Sequence, residues 1–321
     1  MAHVVSSWNP RDEHASGESV TRDGQQKVGC TMTTALQMVF SSLVNGSVFA
    51  LLGLGIVLCY RSSRVVNLAQ GETYSAAGLL TAKLFAWGIP LAAASMGGVL
   101  VAVVGSLVFE RAALRSRLHW EPGRLIMVAL GVALLVEGVE NRLAGATQYS
   151  FPSLVNGASL RLHGAAISRE EVVLVVFTIA VTASLAWFFR KSLVGQAMSA
   201  ASENPRASSL MGINVARMRQ LSFGLAGLLG AVAALLVVPL NGMTYDVGLT
   251  MTLNGFVAAA FANMVSPSRT LLAGLALGLA EGLVGTYWSS LFAQPVAFGV
   301  LLLVGVAYLS RGERFGGAVR A

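Results

Sequence analysis

Charge is scarce in this chain. Asp, Glu, Lys and Arg supply 12% of its 321 residues, about half of the roughly 25% usual for a soluble domain. With 55% hydrophobic residues and a mean hydropathy of +0.68, an ordinary soluble fold is excluded. Lysine occurs only as Lys27, Lys83 and Lys191. A phosphate loop of the form G-x-x-x-x-G-K-[ST] is therefore absent, and the chain cannot bind ATP by that route. Cys30 lies in a polar segment and Cys59 in an apolar run, which is no disulfide framework. His3, His14, His119 and His163 are scattered, without metal-ligand spacing, and no nucleophile motif occurs. Residues 1–33 lack an apolar h-region, so they read as a polar, disordered tail and not as a signal peptide.

What is abundant is apolar length and glycine, of which there are 35. A membrane span needs about 20 mostly apolar residues. Nine stretches qualify, near 34–60, 70–88, 90–109, 124–143, 171–190, 217–240, 249–266, 270–290 and 294–310. The second begins with the polar VVNLAQGE, which predicts a broken or re-entrant piece near 65–75. The expected fold is an all-α, polytopic transmembrane bundle of eight or nine spans over 34–310, with a tail at 311–321.

The net charge of +7 sits beside apolar runs, so it reads as topogenic charge and not as a nucleic-acid surface. Placing the C-terminus in the cytoplasm puts Arg61, Arg64, Arg111, Arg115, Arg117, Arg190, Lys191, Arg206, Arg217, Arg219 and Arg269 inside. Arg11, Arg22, Lys27, Arg142, Arg161 and Arg169 then fall outside with the N-terminus. This bias is the positive-inside pattern of a cell-membrane protein. Trp87, Trp120, Trp187, Trp288 and Tyr60 stand near span ends, where an aromatic belt forms.

One polar loop, 191–216, falls inside the cell and is punctuated like a helix of its own. Asn204 suits an N-cap, Pro205 the first turn, and Gly212 a left-handed end. Asn214 suits the cap of the next helix, starting at Val215, and Leu193 to Ala201 suit a short helix before the loop's centre. Ala207, Leu210 and Met211 share one face at i, i+3 and i+4. So short a helix is marginal in water. Its apolar face must lie either on its own bundle or in a groove of a cytoplasmic partner.

Polar groups inside spans are functional candidates. Asn45, Asn67, Gln70, Glu72, Glu137, Glu140, Asn254, Asn263 and Glu281 qualify. Helix-to-helix hydrogen bonding is the structural alternative for each, and Glu140 can pair with Arg142. Two glycine stripes, Gly224, Gly227, Gly230 and Gly274, Gly278, Gly282, are smooth surfaces for close helix contact. They suit packing within the chain or against a second subunit.

These residues resemble a known family. RKSLVGQAMSAASENPRASSLMGINVARMRQLSFGLAGLLGAVAALL is similar to the coupling region of branched-chain amino-acid type ABC transporter permeases. NGSVFALLGLGIVLCYRSSRVVNLAQGE resembles the family's first span and its Asn-Phe-Ala-His-Gly-Glu signature, and FERAALRSRL its basic loop after the third span. The likeness runs from about residue 36 to 315. Gln70 stands where the family has His. Ala262 to Ser268 replace a glycine-rich loop, and Ser310-Arg311-Gly312-Glu313 replace an Arg-Pro-x-Gly tail.

The resemblance implies a permease subunit of an ATP-driven importer for branched-chain or related small amino acids. Glu203, Asn204, Pro205, Arg206, Ala207, Leu210, Met211, Gly212, Ile213 and Asn214 would couple it to two cytoplasmic ATPases, which hold ATP and Mg. This chain itself would bind no cofactor and be no enzyme. A second permease or a second copy would complete the pore, and an extracytoplasmic binding protein would deliver solute. Asn45, Asn67, Gln70, Gly71, Glu72, Asn254 and Glu281 would line the path, since Gly71 permits irregular backbone along a cavity. The rivals are an ion-gradient transporter using Glu137 or Glu281 and an ABC permease for urea, short amides or sugars.

Overall fold

The computed structural model describes residues 13–117, 120–153, 160–162, 165–288 and 299. The elements follow the apolar runs. They are α1 (Glu13–Ser63), α2 (Gln70–Ala86), α3 (Leu91–Val108), α4 (Pro122–Ala144), α5 (Arg169–Lys191), α6 (Leu193–Glu203), α7 (Pro205–Leu210), α8 (Val215–Asn241), α9 (Val247–Phe261) and α10 (Pro267–Tyr287). A six-residue π-helical turn, Phe109–Leu114, continues α3. The first eight expected spans each coincide with a helix. Of the ninth, near 294–310, only residue 299 is described, and the tail at 311–321 falls outside the described residues. α1 starts at Glu13 and so reaches back into the segment read as a tail.

The all-α class holds, with one small local addition. The chain is not purely helical, because Leu160–Leu162 (β1) and Ala165–Ile167 (β2) pair antiparallel between α4 and α5. A sheet edge of this size is tolerated because the connection lies outside the apolar runs, where water can satisfy it.

Length separates the helices into two kinds. Ala35–Ser63, Leu91–Leu114, Arg169–Lys191, Val215–Asn241 and Pro267–Tyr287 are long and apolar enough to cross a membrane. α2 has 17 residues and α9 has 15, so at 1.5 Å per residue they reach only about 26 and 22 Å, short of the ~30 Å apolar layer. Residues 64–69 lead back into the bundle before α2, with Val65, Asn67 and Ala69 buried. Such backbone survives at membrane depth only inside protein.

α1 is the central post, and small residues let its neighbours close on it. A Cβ on Gly274 would stand 2.7 Å from the Ala50 nitrogen, and one on Gly278 would stand 2.5 Å from the Gly46 Cα. Gly282 abuts the Ser42 hydroxyl. The second glycine stripe therefore packs within the chain, on α1. In the first stripe, Gly227 lies against the Ala102 carbonyl and Gly230 against the Thr73 hydroxyl, whereas Gly224 meets only the Leu107 side chain at an ordinary 3.6 Å. The outward faces of α3, α4 and α5 remain apolar and exposed, as at Met96, Met127, Leu135 and Val176. Trp87, Trp187 and Trp288 are exposed at helix ends. This is the surface that a hydrocarbon solvent requires.

Two ends can be told apart by their cross-links. At one, Arg61 at the end of α1 meets Ser199 of α6 and Val265 after α9. Beside it, Glu110 in the π-turn is ion-paired with Arg219 of α8. At the other, Tyr149 bridges Met243, and Gln148 donates to the Asn241 carbonyl at 2.6 Å.

Candidate functional site

The loop at the first end is built as its capping residues dictate. The Asn204 side chain accepts from the Ala207 N–H at 3.0 Å, and Pro205 fills the first helical position of α7. Gly212 takes φ +84°, a left-handed conformation that costs glycine little. Asn214 then caps α8 by accepting from the Arg217 N–H at 3.0 Å. α7 turns Ser208 inward, while Leu210 is 88% and Met211 83% exposed. No described residue covers them. Glu203, Arg206 and Ala207 are exposed beside them, and Ile213 is half-buried. α6 is held from beneath by Met198 and Ala201, both fully buried.

A second site forms where the chain re-enters. Asn67 Oδ1 accepts from the Ala69 N–H at 3.0 Å, and Asn67 Nδ2 donates to Gln70 Oε1 at 3.3 Å. Gln70 Nε2 donates to the Ala226 carbonyl of α8 at 2.8 Å. Gln70 is wholly buried and lies against Gly55, so it pins the loop to α1 and α8. The Gly71 N–H donates to Thr252 Oγ1 at 2.7 Å, and a Cβ on Gly71 would overlap the Gly248 carbonyl. Gly71 is thus the point where α2 and α9 touch backbone to backbone.

Glu72 follows, buried, with Oε1 unpartnered. The Ser75 hydroxyl lies 3.4 Å from Glu72 Oε2 and 3.0 Å from Glu140 Oε1 of α4. Glu140 thus faces α2, and the expected pairing with Arg142 is not found among the described residues. Glu72, Asn67, Thr73 and Ser106 give the polar part of a cavity of about 180 Å³, whose remaining wall includes Val101, Phe109, Val132 and Val136. No cationic side chain lines it.

The other path candidates lie apart from this cluster. Asn45 lines a separate cavity of about 140 Å³ with Tyr74, Gln148 and Asn241. Asn254 lies beside Glu281, across the contact of α9 and α10. Ser75 and Ser106 carry no signal in the sequence, and Glu140 stood there as a candidate with Arg142 pairing as the structural alternative. The signal for Glu140 was its spacing from Glu137, one turn along one helical face.

The loop after α9 has a left-handed backbone at Asn263 (φ 52°) and Met264 (φ 55°). That conformation favours glycine, so both residues are held there against their local preference.

Comparison with known proteins agrees with this architecture. The sequence profile of the family described as branched-chain amino acid transport system / permease component matches residues 38–309. The chain belongs to this family. Among its curated relatives is the high-affinity branched-chain amino acid transport system permease protein LivH of Escherichia coli (strain K12). It is 28% identical over 283 residues, covering 84% of this chain and 92% of that one. The permease protein BraD of Pseudomonas aeruginosa is 28% identical, with the same coverage. A solved structure described as an inward-facing metal-chelate type ABC transporter superposes at a TM-score of 0.51. It shares 15% identity and covers 84% of this chain and 85% of that one. At that identity the likeness carries the fold alone. As a permease of this family the chain is a multi-pass membrane transporter component.

Proposed function

We propose that this permease is the membrane-spanning subunit of an ATP-driven importer for branched-chain or related small amino acids. The observation that carries the reading is α7. It is a capped, two-turn helix that presents Leu210 and Met211 to solvent from the basic end of the bundle. An uncovered apolar step of this kind at the polar end of the bundle suits a groove on another protein. Residues 203–214 are the docking surface for two cytoplasmic ATPases, which bind ATP and Mg and perform the hydrolysis. A second permease subunit or a second copy completes the pore, and an extracytoplasmic binding protein supplies the solute.

In this reading the membrane domain is 34–310 and has eight or nine membrane segments, with α2 and α9 as the partial ones. The N-terminus is outside and the C-terminus cytoplasmic, supported by the arginines clustered around α1's end, the π-turn and α6–α8. Asn67 and Glu72 line the path beside the 180 Å³ cavity, with Asn45, Asn254 and Glu281 at other depths. Gln70 and Gly71 hold that stretch in place. The test is uptake of radiolabelled leucine by proteoliposomes holding the whole transporter, with binding protein outside and ATP within. Accumulation that needs both ATP and binding protein is expected. Accumulation driven by an ion gradient without ATP would refute the reading.

A further inference from the structure

Arg61 joins four parts of the chain. It stands near the C-terminal end of α1. Its Nη2 donates to Ser199 Oγ of α6 at 2.8 Å, and its Nη1 donates to the Val265 carbonyl of the α9–α10 loop at 3.3 Å. Its guanidinium carbon lies 3.9 Å from the ring centroid of Phe189, near the end of α5. Glu203, the last residue of α6, attracts it electrostatically. These contacts use what distinguishes arginine. A planar fork can hydrogen-bond in two directions while its face stacks on an aromatic ring, and a lysine ammonium cannot.

The position of this junction gives it a consequence. On one side, α6 leads through Asn204 directly into α7, the exposed helix. On the other, two residues separate Arg61 from Arg64, where φ is 56° and the chain turns into the largely buried stretch Val65–Ala69. From there Asn67 is bonded to Gln70, and Gln70 to α8. The α9–α10 loop that Arg61 also grips contains the left-handed pair Asn263 and Met264.

We infer that Arg61 is a positioning residue that carries displacement of the α6–α7 segment to the re-entrant loop at Asn67–Glu72. Leu210 and Met211 take the load from the ATPases, and Arg61 makes the loop move with it. The inference rests on the reading of α7 as a docking helix. Ordinary anchoring of a span by a terminal arginine is the competing account. It would leave nucleotide-dependent movement of the loop unaffected.

The test uses the whole transporter in proteoliposomes, with Cys30→Ser and Leu68→Cys placing a reporter thiol in the loop. Maleimide labelling is timed with and without ATP and Mg. With Arg61 present, nucleotide should change the labelling rate. In Arg61→Gln that response should shrink by roughly threefold to thirtyfold, the span of substitutions along a coupling network, while the ATPases still co-purify. Arg61→Lys should lose part of the response, and Ser199→Ala less. A response kept in full by Arg61→Gln overturns the inference, as does a loop with no nucleotide response when Arg61 is present. If Arg61→Gln does not reach the membrane, Arg61→Lys and Ser199→Ala decide by the same rate. The docking reading fails separately, if Leu210→Glu retains its ATPases.

Discussion

The seam between α1 and α10 and the loop that carries α7 both present uncharged side chains at their contact faces, yet they end in opposite environments. Along the seam, Gly46, Ala50, Gly274 and Gly278 bring two backbones within van der Waals range, and little space remains. In the loop, Leu210 and Met211 stand almost fully in solvent on a helix of six residues. The seam is finished within the subunit. The loop is finished only when something else covers it. A burial deficit at one end of an otherwise tightly packed bundle is where a partner belongs.

This contrast can be broken from either side. The largest effect should come from Gly278→Val. The added carbons would meet the backbone of α1, which cannot rotate away as a side chain can. Overpacking costs about 1–3 kcal/mol even where the neighbours can shift, so loss of the folded protein in detergent melting is expected. Gly224→Ala, with only Leu107 at 3.6 Å, should melt as the parent does. Equal melting of the two variants would contradict the packing described.

Leu210→Glu should show the reverse pattern. Detergent melting should match the parent, because the side chain touches no described core residue. ATP-dependent uptake and co-purified ATPase should both disappear, since a buried charge without a partner disrupts an apolar groove. Normal uptake would mean that α7 is a bystander.

Gln70→Ala should lie between these extremes. It removes the bond to the Ala226 carbonyl, worth about 0.5–1.5 kcal/mol, and empties space beside Gly55. A lower melting temperature with ATPase binding retained is expected, and loss of ATPase binding would contradict its placement as an interior pin. The smallest effect belongs to Asn204→Ala. Loss of the cap costs about 1 kcal/mol and should raise amide exchange in α7 alone. A fall in global stability would show that α7 is part of the core after all.

The sequence carried local decisions well. The caps at Asn204 and Asn214, the proline after the first and the left-handed Gly212 are read from neighbours within four residues, so tertiary context had little to change. The break before α2 was legible because VVNLAQGE interrupts an apolar run. The pairing of Leu160–Leu162 with Ala165–Ile167 was not legible, because strands of three residues are too short to show a period of two.

What could not be read is which helix faces which. The Gly274 stripe gave no hint that its partner is α1, since a smooth surface has no address. Gln70 was read as path-lining, but it points to α8, a matter of helix rotation that six local residues do not set. The meeting of Ser75 with Glu140 depends on the register of α2 against α4. Arg61 appeared only as topogenic charge, because Ser199, Phe189 and Val265 lie more than a hundred residues away along the chain.

The most direct test is purification of the tagged chain in mild detergent, with mass spectrometry of what accompanies it, run beside Leu210→Glu. The account predicts P-loop ATPases and a permease-like partner or second copy with the parent, and no ATPases with the variant. Recovery of the parent chain without ATPases, yet competent for uptake in liposomes lacking ATP, would contradict it.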